Sequence, residues 1–245
     1  MKYMKLNPNK SKCMLIGTSK KLKQQSSLNI YIHETILKNV DAHKLMGIYI
    51  NKNLKWNVHI SYIYNKMMSR IHLLKRLTFY LTYDMKKLFY NAYIMSVFDY
   101  CCPVWANGSN SELSKIKNIQ KRAAKIILQK SNGNSAISLF NELKWLSFDN
   151  RLNYHIGVMT YKILNGHTPN YMCNLISLSQ NTSYNLRSST NQNLAILKRP
   201  KTNYLQNTFG YSSRMIWNSI PLIIRKSPSI SAFKANFETF LQISQ

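Results

Sequence analysis

Residues 99–106 (DYCCPVWA) place two adjacent cysteines, Cys101 and Cys102, between aromatic residues and a proline. Adjacent thiols could bind a metal ion or cycle through redox states. A zinc site needs four converging ligands, and this pair has no second Cys or His pair at finger spacing. Redox enzymes use Cys-x-x-Cys, in which a helix start stabilises the thiolate. Neither pattern is present, so we expect both cysteines to pack at a buried helix end.

The six histidines and eight acidic residues also lack catalytic spacing. No His-x-x-x-His or His-Glu-x-x-His motif occurs. No two acids are adjacent, so paired-carboxylate and two-metal mechanisms lack their ligands. Phosphate-binding glycine loops, dinucleotide fingerprints and Gly-x-Ser-x-Gly are absent as well. We predict no catalytic residue and no metal ligand in this chain.

Charge is the strongest compositional signal, because 34 Lys and Arg residues against 8 Asp and Glu residues give a formal net charge of +26. Such a surface repels itself unless an anion neutralises it. RNA and DNA are the predicted partners, since cationic side chains displace counterions from phosphates. A membrane surface is the weaker alternative, because the basic residues are spread along the chain and not clustered beside an apolar anchor. AT-rich codons alone are another source of basicity.

Cysteine usage and hydropathy indicate the compartment. Four cysteines in 245 residues are too few for a disulfide framework, which favours a reducing location. The start lacks the apolar core of a signal peptide, and no uncharged stretch approaches the ~18 residues that span a bilayer. We expect an intracellular protein of the nucleus or cytoplasm, neither secreted nor transmembrane.

Three parts of the chain must position any binding residues. The first, residues 1–53, carries short β-type runs at 12–17, 28–32 and 46–50. In the run at 28–32, Leu28, Ile30 and Ile32 alternate with Asn29 and Tyr31, which predicts a half-buried antiparallel strand. This is too little sheet to be stable alone.

The second part, residues 54–130, is predicted to be helical. Helices are expected from about 57, over 84–98 with Asp84 as N-cap, and from near Ser111. Apolar residues at steps of three and four form a core-facing stripe on the first and last of these helices. The two stripes are Ile60, Ile63, Met67, Ile71 and Leu74, and Leu113, Ile116, Ile119, Ala123 and Ile126 or Ile127.

Basic residues accompany both stripes. Lys66 and Arg70 stand one turn apart at the margin of the first. Lys117, Lys121 and Lys125 form a row at i, i+4 and i+8, opposite the apolar face of the second. Such a row is usually a solvated face, but the net charge and the lack of acids further along this helix favour contact with phosphates.

The third part, residues 131–245, is predicted to be mostly helical after a polar linker at 131–136. A short helix at 137–143 precedes a longer one that stops at Gly166, and a terminal helix begins after Pro228. The basic stretch 177–203 is expected to be a loop or a strand excursion. The stripes of the two longer helices are Leu152, Ile156, Met159 and Ile163, and Ile230, Phe233, Phe237 and Leu241.

Eight stretches, in order along nearly the whole chain, resemble one protein family. They are LNPNKSKCMLIG (6–17), HKLMGIYINKNLKWNVHI (43–60), FDYCCPVWA (98–106), IKNIQKRAAKIIL (116–128), LFNELKWL (139–146), YKILNGHTPNYM (161–172), LRSS (186–189) and MIWNSIPLIIRKSPSISAFKANFETFL (215–241). Together they resemble the C-terminal part of the reverse transcriptases of non-LTR (LINE-type, jockey-like) retrotransposons. In this resemblance the cysteine pair is a packing landmark.

The resemblance implies roles for residues of the first part. The run NPNKS at 7–11 resembles a palm motif whose lysine, Lys10 here, lies near the phosphates of the incoming nucleotide. Lys12 is a further candidate contact. The run Leu45-Met46-Gly47 resembles the palm hairpin that grips the primer end, with Gly47 at the position of the family's glycine.

Residues 54–130 resemble the thumb of these enzymes, which holds the primer–template duplex through its backbone. Such recognition is independent of sequence. The candidate nucleic-acid contacts in this part are Lys66, Arg70, Lys117, Lys121, Arg122 and Lys125.

The family's polymerase chemistry uses palm aspartates, including a Tyr-x-Asp-Asp turn, to hold two Mg²⁺ ions. This chain has no Asp-Asp, and its first aspartate is Asp41. The resemblance therefore implies a fragment of an RNA-directed DNA polymerase that has no cofactor site of its own, is inactive alone and retains at most nucleic-acid binding. The alternatives are a non-functional relic whose basicity reflects codon bias, or a basic adaptor with no enzymatic role.

The expected fold is α+β and mostly α. It comprises a small antiparallel remnant of a polymerase palm (1–53), a helical thumb-like domain (54–130) and a helix-rich C-terminal region (131–245). We expect strand edges and apolar surface to be exposed, and solubility in isolation to be poor.

Overall fold

The structure, a computed structural model, consists mainly of α-helices, with three small sheets in its N-terminal part. It describes residues 6–24, 28–106, 108–130, 133, 135–176, 193–194, 203–206 and 208–245. The strands are β1 (Lys12–Cys13), β2 (Tyr31–Ile32), β3 (Thr35–Ile36), β4 (Lys38–Asn39), β5 (Ala42–Leu45) and β6 (Ile48–Asn51). The α-helices are α1 (Ser19–Gln24), α2 (Asn57–Leu77), α3 (Tyr83–Phe89), α4 (Ser96–Asp99), α5 (Cys102–Trp105), α6 (Asn110–Leu128), α7 (Ala136–Leu143), α8 (Phe148–Leu164), α9 (Asn203–Gln206), α10 (Phe209–Ser219), α11 (Leu222–Arg225) and α12 (Ile230–Ile243). The predicted fold class is confirmed.

The strands form three separate pairs. β2 pairs with β3 and β5 pairs with β6, both antiparallel as predicted. β1 instead runs parallel to β4, with Cys13 opposite Asn39. The antiparallel expectation is therefore wrong for the run at 12–17. The chain passes through α1 and the β2–β3 hairpin before β4, and this long connection lets β4 return alongside β1 in the same direction.

α2 and α6 pack against each other and form the centre of the first apolar core. Every residue of the stripe predicted on α2 is buried. On α6 the predicted stripe is also buried, with Ile127 as its last member and Ile126 only partly covered. The same core includes Leu139 of α7 and Ile156 of α8. It thus runs across the division near residue 131, which stays a prediction.

The helix predicted over 84–98 is divided into three segments. Thr82, with extended backbone angles, caps α3 by accepting a hydrogen bond from the Met85 N–H at 3.4 Å. Asp84 lies in the first turn, so its assignment as N-cap is wrong. A π-helical segment, Tyr90–Met95, connects α3 to α4. It places the buried Tyr90 ring against Trp145, with their centroids 3.9 Å apart.

The cysteine pair turns the chain into α5. Cys102 is fully buried, and burial raises the pKa of its thiol well above the ordinary range. Cys101 has φ +52°, in the left-handed region, and is exposed. The packing role is confirmed for Cys102 and wrong for Cys101, because the left-handed turn points the two side chains in different directions. Trp105, also buried, donates through Nε1 to the Tyr100 carbonyl at 3.0 Å.

An ion pair connects this segment to α8. Arg151 donates twice to the Asp99 carboxylate, at 2.7 and 2.6 Å, and His155 Nε2 lies 2.9 Å from the same group. Burial would raise the pKa of Asp99, but the hydrogen bonds from Arg151 and His155 outweigh it and hold that pKa below its usual value. The bidentate geometry is the strongest arrangement for such a pair.

The C-terminal helices form a second apolar core against the C-terminal half of α8. The helices predicted at 137–143, around 152–163 and after Pro228 are confirmed as α7, α8 and α12. Gly166, with φ +70°, follows the end of α8. Ser229 caps α12 through the Ala232 N–H at 3.2 Å, and Phe233 and Phe237 are buried.

The predicted loop at 177–203 lies outside the described residues except at 193–194 and at its last residue. Leu194 is buried in the second core, and the Asn218 side chain holds its backbone on both sides. The Leu194 N–H donates to Asn218 Oδ1 at 2.9 Å, and Asn218 Nδ2 donates to the Leu194 carbonyl at 3.0 Å. Arg225 donates to Asn193 Oδ1 at 2.6 Å.

None of the helices in the described ranges combines the length and the apolarity that a membrane crossing requires.

Replacing Asp99 with Asn should destabilise the fold by about 2–4 kcal/mol, because Arg151 loses its counter-charge in a partly buried site. The matched control is Asp41→Asn, since the exposed Lys52–Asp41 pair contributes at most about 1 kcal/mol. Urea unfolding of the two variants measures the difference. An equal loss of unfolding free energy in both variants would show that the Asp99–Arg151 pair contributes no more than the exposed Lys52–Asp41 pair.

Replacing Gly157 with Ala should destabilise the protein by roughly 1–3 kcal/mol, because a Cβ there would lie 2.9 Å from Phe237 Cζ and closer still to Cε1. This reverses the usual gain of about 1 kcal/mol for Gly→Ala within a helix. Phe237→Leu has a cost of its own, but it should also relieve part of the clash. The double variant should therefore lose less stability than the two single variants added together, and a double-mutant cycle of unfolding free energies measures this coupling. Additive effects would rule out the close approach as the cause.

Candidate nucleic-acid interface

The β5–β6 hairpin presents one edge of the candidate interface. Its two-residue turn has φ +45° at Met46 and φ +86° at Gly47, as a type I′ turn requires. The Tyr100 hydroxyl donates to the Met46 carbonyl at 2.7 Å. A Cβ at residue 47 would lie 3.2 Å from the Tyr100 ring. Gly47 therefore serves both the turn and its close approach to the segment that follows α4.

α2 supplies the centre of the interface. Tyr62, Lys66 and Arg70 follow one another at steps of four and form a row beside the buried stripe. From the hairpin, the Lys44 ammonium lies 4.8 Å from the Tyr62 ring centroid and 5.6 Å from that of Tyr49. The two tyrosine rings are 5.2 Å apart. Hairpin and helix thus share one cluster of cations and aromatic rings.

Arg70 extends this cluster to the π-helical segment. Its guanidinium carbon lies 3.9 Å from the Tyr93 ring centroid, and one of its nitrogens donates to the Tyr93 carbonyl. The hydrogen bond and the stacking on the ring together hold the guanidinium in one orientation. We call the whole group the basic–aromatic strip. Its members are Lys44, Tyr49, Tyr62, Lys66, Arg70 and Tyr93.

The electrostatics of the strip are one-sided. Within the described ranges, the ion pairs formed by acidic side chains involve none of its three cations. The hydrogen bond from Lys44 and the charge of Lys66 lower the pKa of the Tyr62 phenol. An exposed positive potential with flat aromatic faces is suited to phosphates and to stacked bases or riboses.

His59 supports the strip from below. It is fully buried beside Trp105, with ring centroids 5.3 Å apart, and its Nδ1 accepts a hydrogen bond from the Tyr49 N–H at 3.3 Å. Burial, and then the charge of Lys44, lower the pKa of His59 to about 4. The ring is therefore neutral at pH 7 and fixes β6 to α2.

Lys10 and Lys12 lie apart from the strip in the contact network. Lys10 ends a short 3₁₀ turn at Pro8–Lys10 and is exposed, and Lys12 is exposed in β1. Among the described residues, no hydrogen bond, ion pair or ring contact joins either lysine to the strip. Of the predicted contacts, Lys66 and Arg70 belong to the strip, and Gly47 lies in the turn of the hairpin that supplies Lys44 and Tyr49.

The predicted row on α6 is not a simple solvated face. Lys117 pairs with Asp149 at 2.7 Å and lies over the Phe148 ring at 5.6 Å, both from α8. Lys121 and Lys125 are half-buried. An acid from a different helix therefore offsets part of the charge that the sequence of α6 displays.

Arg122 faces α2 instead of continuing the α6 row. One of its nitrogens lies 3.7 Å from Met68 Sδ. It is exposed, so it remains available on the side of α6 next to α2.

The sequence prediction missed the aromatic half of the strip. Tyr62 could have been found, because it precedes Lys66 by four residues, as Lys66 precedes Arg70. Lys44 and Tyr49 depend on the docking of the hairpin. Tyr93 depends on the π-helical segment, which its sequence does not announce.

Within the part of the chain that the structure describes, no three His, Cys, Asp or Glu side chains lie together where they could hold a metal ion.

The chain matches no protein-family model, no curated protein and no solved structure at a significant level.

Stability should fall between pH 6.5 and about 4 because His59 binds a proton in the unfolded chain but not in the folded one. The loss reaches roughly 3 kcal/mol at the lower limit. His59→Asn keeps an acceptor for the Tyr49 N–H and removes the titration. Urea midpoints measured from pH 7 to 4 should therefore decline less steeply in this variant than in the wild type. Parallel declines would exclude His59 as the source.

Proposed function

We propose that this protein binds nucleic acid through the basic–aromatic strip, without sequence preference and without a chemical step of its own. One observation carries the proposal. Three cations from the hairpin and α2 lie among tyrosine rings, with no acid paired to them in the described ion-pair network. Phosphates would meet Lys44, Lys66 and Arg70, and bases or riboses would stack on the exposed parts of Tyr62 and Tyr93.

The location of the strip supports a more specific proposal. It combines the hairpin at Leu45–Gly47 with the row of Tyr62, Lys66 and Arg70 on α2. These two elements resemble the primer-gripping hairpin and the thumb of non-LTR reverse transcriptases. On this basis we assign the chain to the C-terminal part of such a polymerase, and RNA–DNA or DNA duplexes are its proposed ligands. Backbone contacts suffice for that role.

The net charge alone does not identify the strip, because a surface of +26 attracts polyanions everywhere. A localised site differs from diffuse attraction in one measurable respect. Contacts to a defined number of phosphates give a linear fall of log affinity with log salt, whose slope counts those contacts.

The test compares two triple variants of equal charge in binding to a fluorescent RNA–DNA hybrid. Replacing Lys44, Lys66 and Arg70 with Ala should reduce the salt slope by roughly three and weaken binding. The control replaces Lys20, Lys226 and Lys234, exposed lysines away from the strip, and should leave the slope unchanged. Fluorescence anisotropy at salt concentrations from about 50 to about 300 mM gives the affinity and its salt slope for each variant.

Two outcomes would contradict the proposal. An equal loss in both triple variants would mean that the attraction is diffuse and reflects composition. An affinity that differs widely between hybrids of unrelated sequence would contradict backbone recognition.

Tyr62→Ala should weaken binding to the hybrid with no change of the salt slope, since stacking releases no counterions.

A further inference from the structure

Two ammonium groups flank the phenol of Tyr62 at the centre of the basic–aromatic strip. The Lys44 ammonium lies 3.5 Å from the phenol oxygen, at hydrogen-bonding distance, and 4.8 Å from the ring centroid. The Lys66 ammonium lies 5.8 Å from the same centroid. One lysine thus approaches from the hairpin, and the other belongs to the helix that carries the tyrosine.

The charges around this phenol favour its deprotonated form. The hydrogen bond from Lys44, and next the charge of Lys66, lower the pKa of Tyr62, and they outweigh the smaller opposing effect of burial. Among the described residues, no carboxylate contributes to that shift. The other titratable ring beside the phenol is His59, whose centroid is 6.3 Å away and which is neutral at pH 7.

These surroundings make the Tyr62 phenol a nucleophile. A phenol reacts as its phenolate, and neighbouring cations increase the phenolate fraction at neutral pH. The same cations attract the oxygens of a phosphoryl or sulfonyl group and bring its central atom towards the phenol oxygen. The hydrogen bond from Lys44 lies at the exposed surface, where a small reactant has access.

Exposure alone would select other tyrosines. Tyr80 is 84% exposed and Tyr171 is 69% exposed, whereas Tyr62 is only partly exposed. In the described contacts, no cation lies against the ring or the hydroxyl of Tyr80 or Tyr171. Tyr49 shares Lys44 through its ring, but no described hydrogen bond involves its hydroxyl. Exposure and electrostatic activation therefore predict different sites of reaction.

We propose that Tyr62 is a nucleophilic modification site for small anionic reactants that carry a phosphoryl or sulfonyl centre with a leaving group. In the sulfonyl case, the phenol proton passes to solvent, the phenolate oxygen bonds to sulfur, and the bond between sulfur and the leaving group breaks. The leaving group departs with the electron pair of that bond, so nothing is oxidised or reduced. The reaction does not depend on nucleic-acid binding, although an adduct would cover the centre of the strip.

The probe is para-carboxybenzenesulfonyl fluoride, a small anion whose leaving group is fluoride. The full 245-residue chain is treated at neutral pH, and mass spectrometry of its proteolytic peptides gives the initial labelling rate of each tyrosine. Tyr62 should react at least about threefold faster than Tyr80. Faster labelling of Tyr80, or labelling of Lys44 or Lys66 in place of Tyr62, would overturn the proposal.

Charge variants test the cause of the reactivity. Lys44→Ala should slow the labelling of Tyr62 by about twofold to fivefold, as expected for the loss of one exposed charge interaction, and leave Tyr80 unchanged. Lys44→Arg restores the cation and should keep most of the rate. The matched control is Lys52→Ala, which removes the same charge directly after the hairpin, where Lys52 pairs with Asp41. Lys44 is exposed, and circular dichroism checks the fold of each variant. Equal slowing in the two alanine variants would overturn the proposal.

Two further measurements test the reactant class and the position. Benzenesulfonyl fluoride lacks the carboxylate, so the ratio of the Tyr62 rate to the Tyr80 rate should fall by about twofold or more. Equal ratios for the two reagents would overturn the assignment to anionic reactants. Tyr62→Phe should abolish labelling of the peptide 56–66, which also contains Tyr64. Undiminished labelling of that peptide would place the nucleophile elsewhere and overturn the proposal.

Discussion

The ion pair between Asp99 and Arg151 fixes α8 to the end of α4. Asp99 ends α4, and Arg151 lies in the N-terminal half of α8, which packs in the first core, whereas the C-terminal half of α8 packs in the second. A carboxylate taken from water needs compensation, and here two guanidinium hydrogen bonds and the imidazole of His155 provide it. Because the geometry of a bidentate pair is narrow, it fixes the direction in which α8 crosses α4.

The residues directly after Asp99 transmit this constraint to the candidate interface. Tyr100 holds the β5–β6 hairpin through the Met46 carbonyl, and the buried Trp105 holds Tyr100 through its carbonyl and contacts His59. His59 in turn fixes the hairpin backbone to α2. The short segment with the cysteine pair therefore acts as a scaffold. Its contacts hold the β5–β6 hairpin against α2 and so place Lys44 next to Tyr62. Neither the hairpin nor α2 alone would bring these two residues together.

The few acids explain why a site can form on so basic a surface. Asp99, Asp149, Glu142 and Asp41 pair with basic residues, and these pairs consume charge at helix contacts and at the hairpin base. Lys117 loses part of its availability in this way, whereas the strip on α2 has no such partner among the described ion pairs. The distribution of the acids, more than the number of lysines, thus decides where anions meet an unopposed positive surface.

Local periodicity determined much of this protein. The stripes of α2, α6, α8 and α12 follow from the sequence, because a helix repeats its faces every three to four residues whatever it packs against. Lys66 and Arg70 were found for the same reason. Tertiary structure alone decided the rest: Asp99 and Arg151 are 52 residues apart, and Lys117 and Asp149 are 32 apart. Cys101 and Cys102 diverge because of one left-handed turn, and Tyr93 joins the strip because of a π-helical segment. Such contacts depend on how elements cross in space, and residue spacing along the chain carries no record of that.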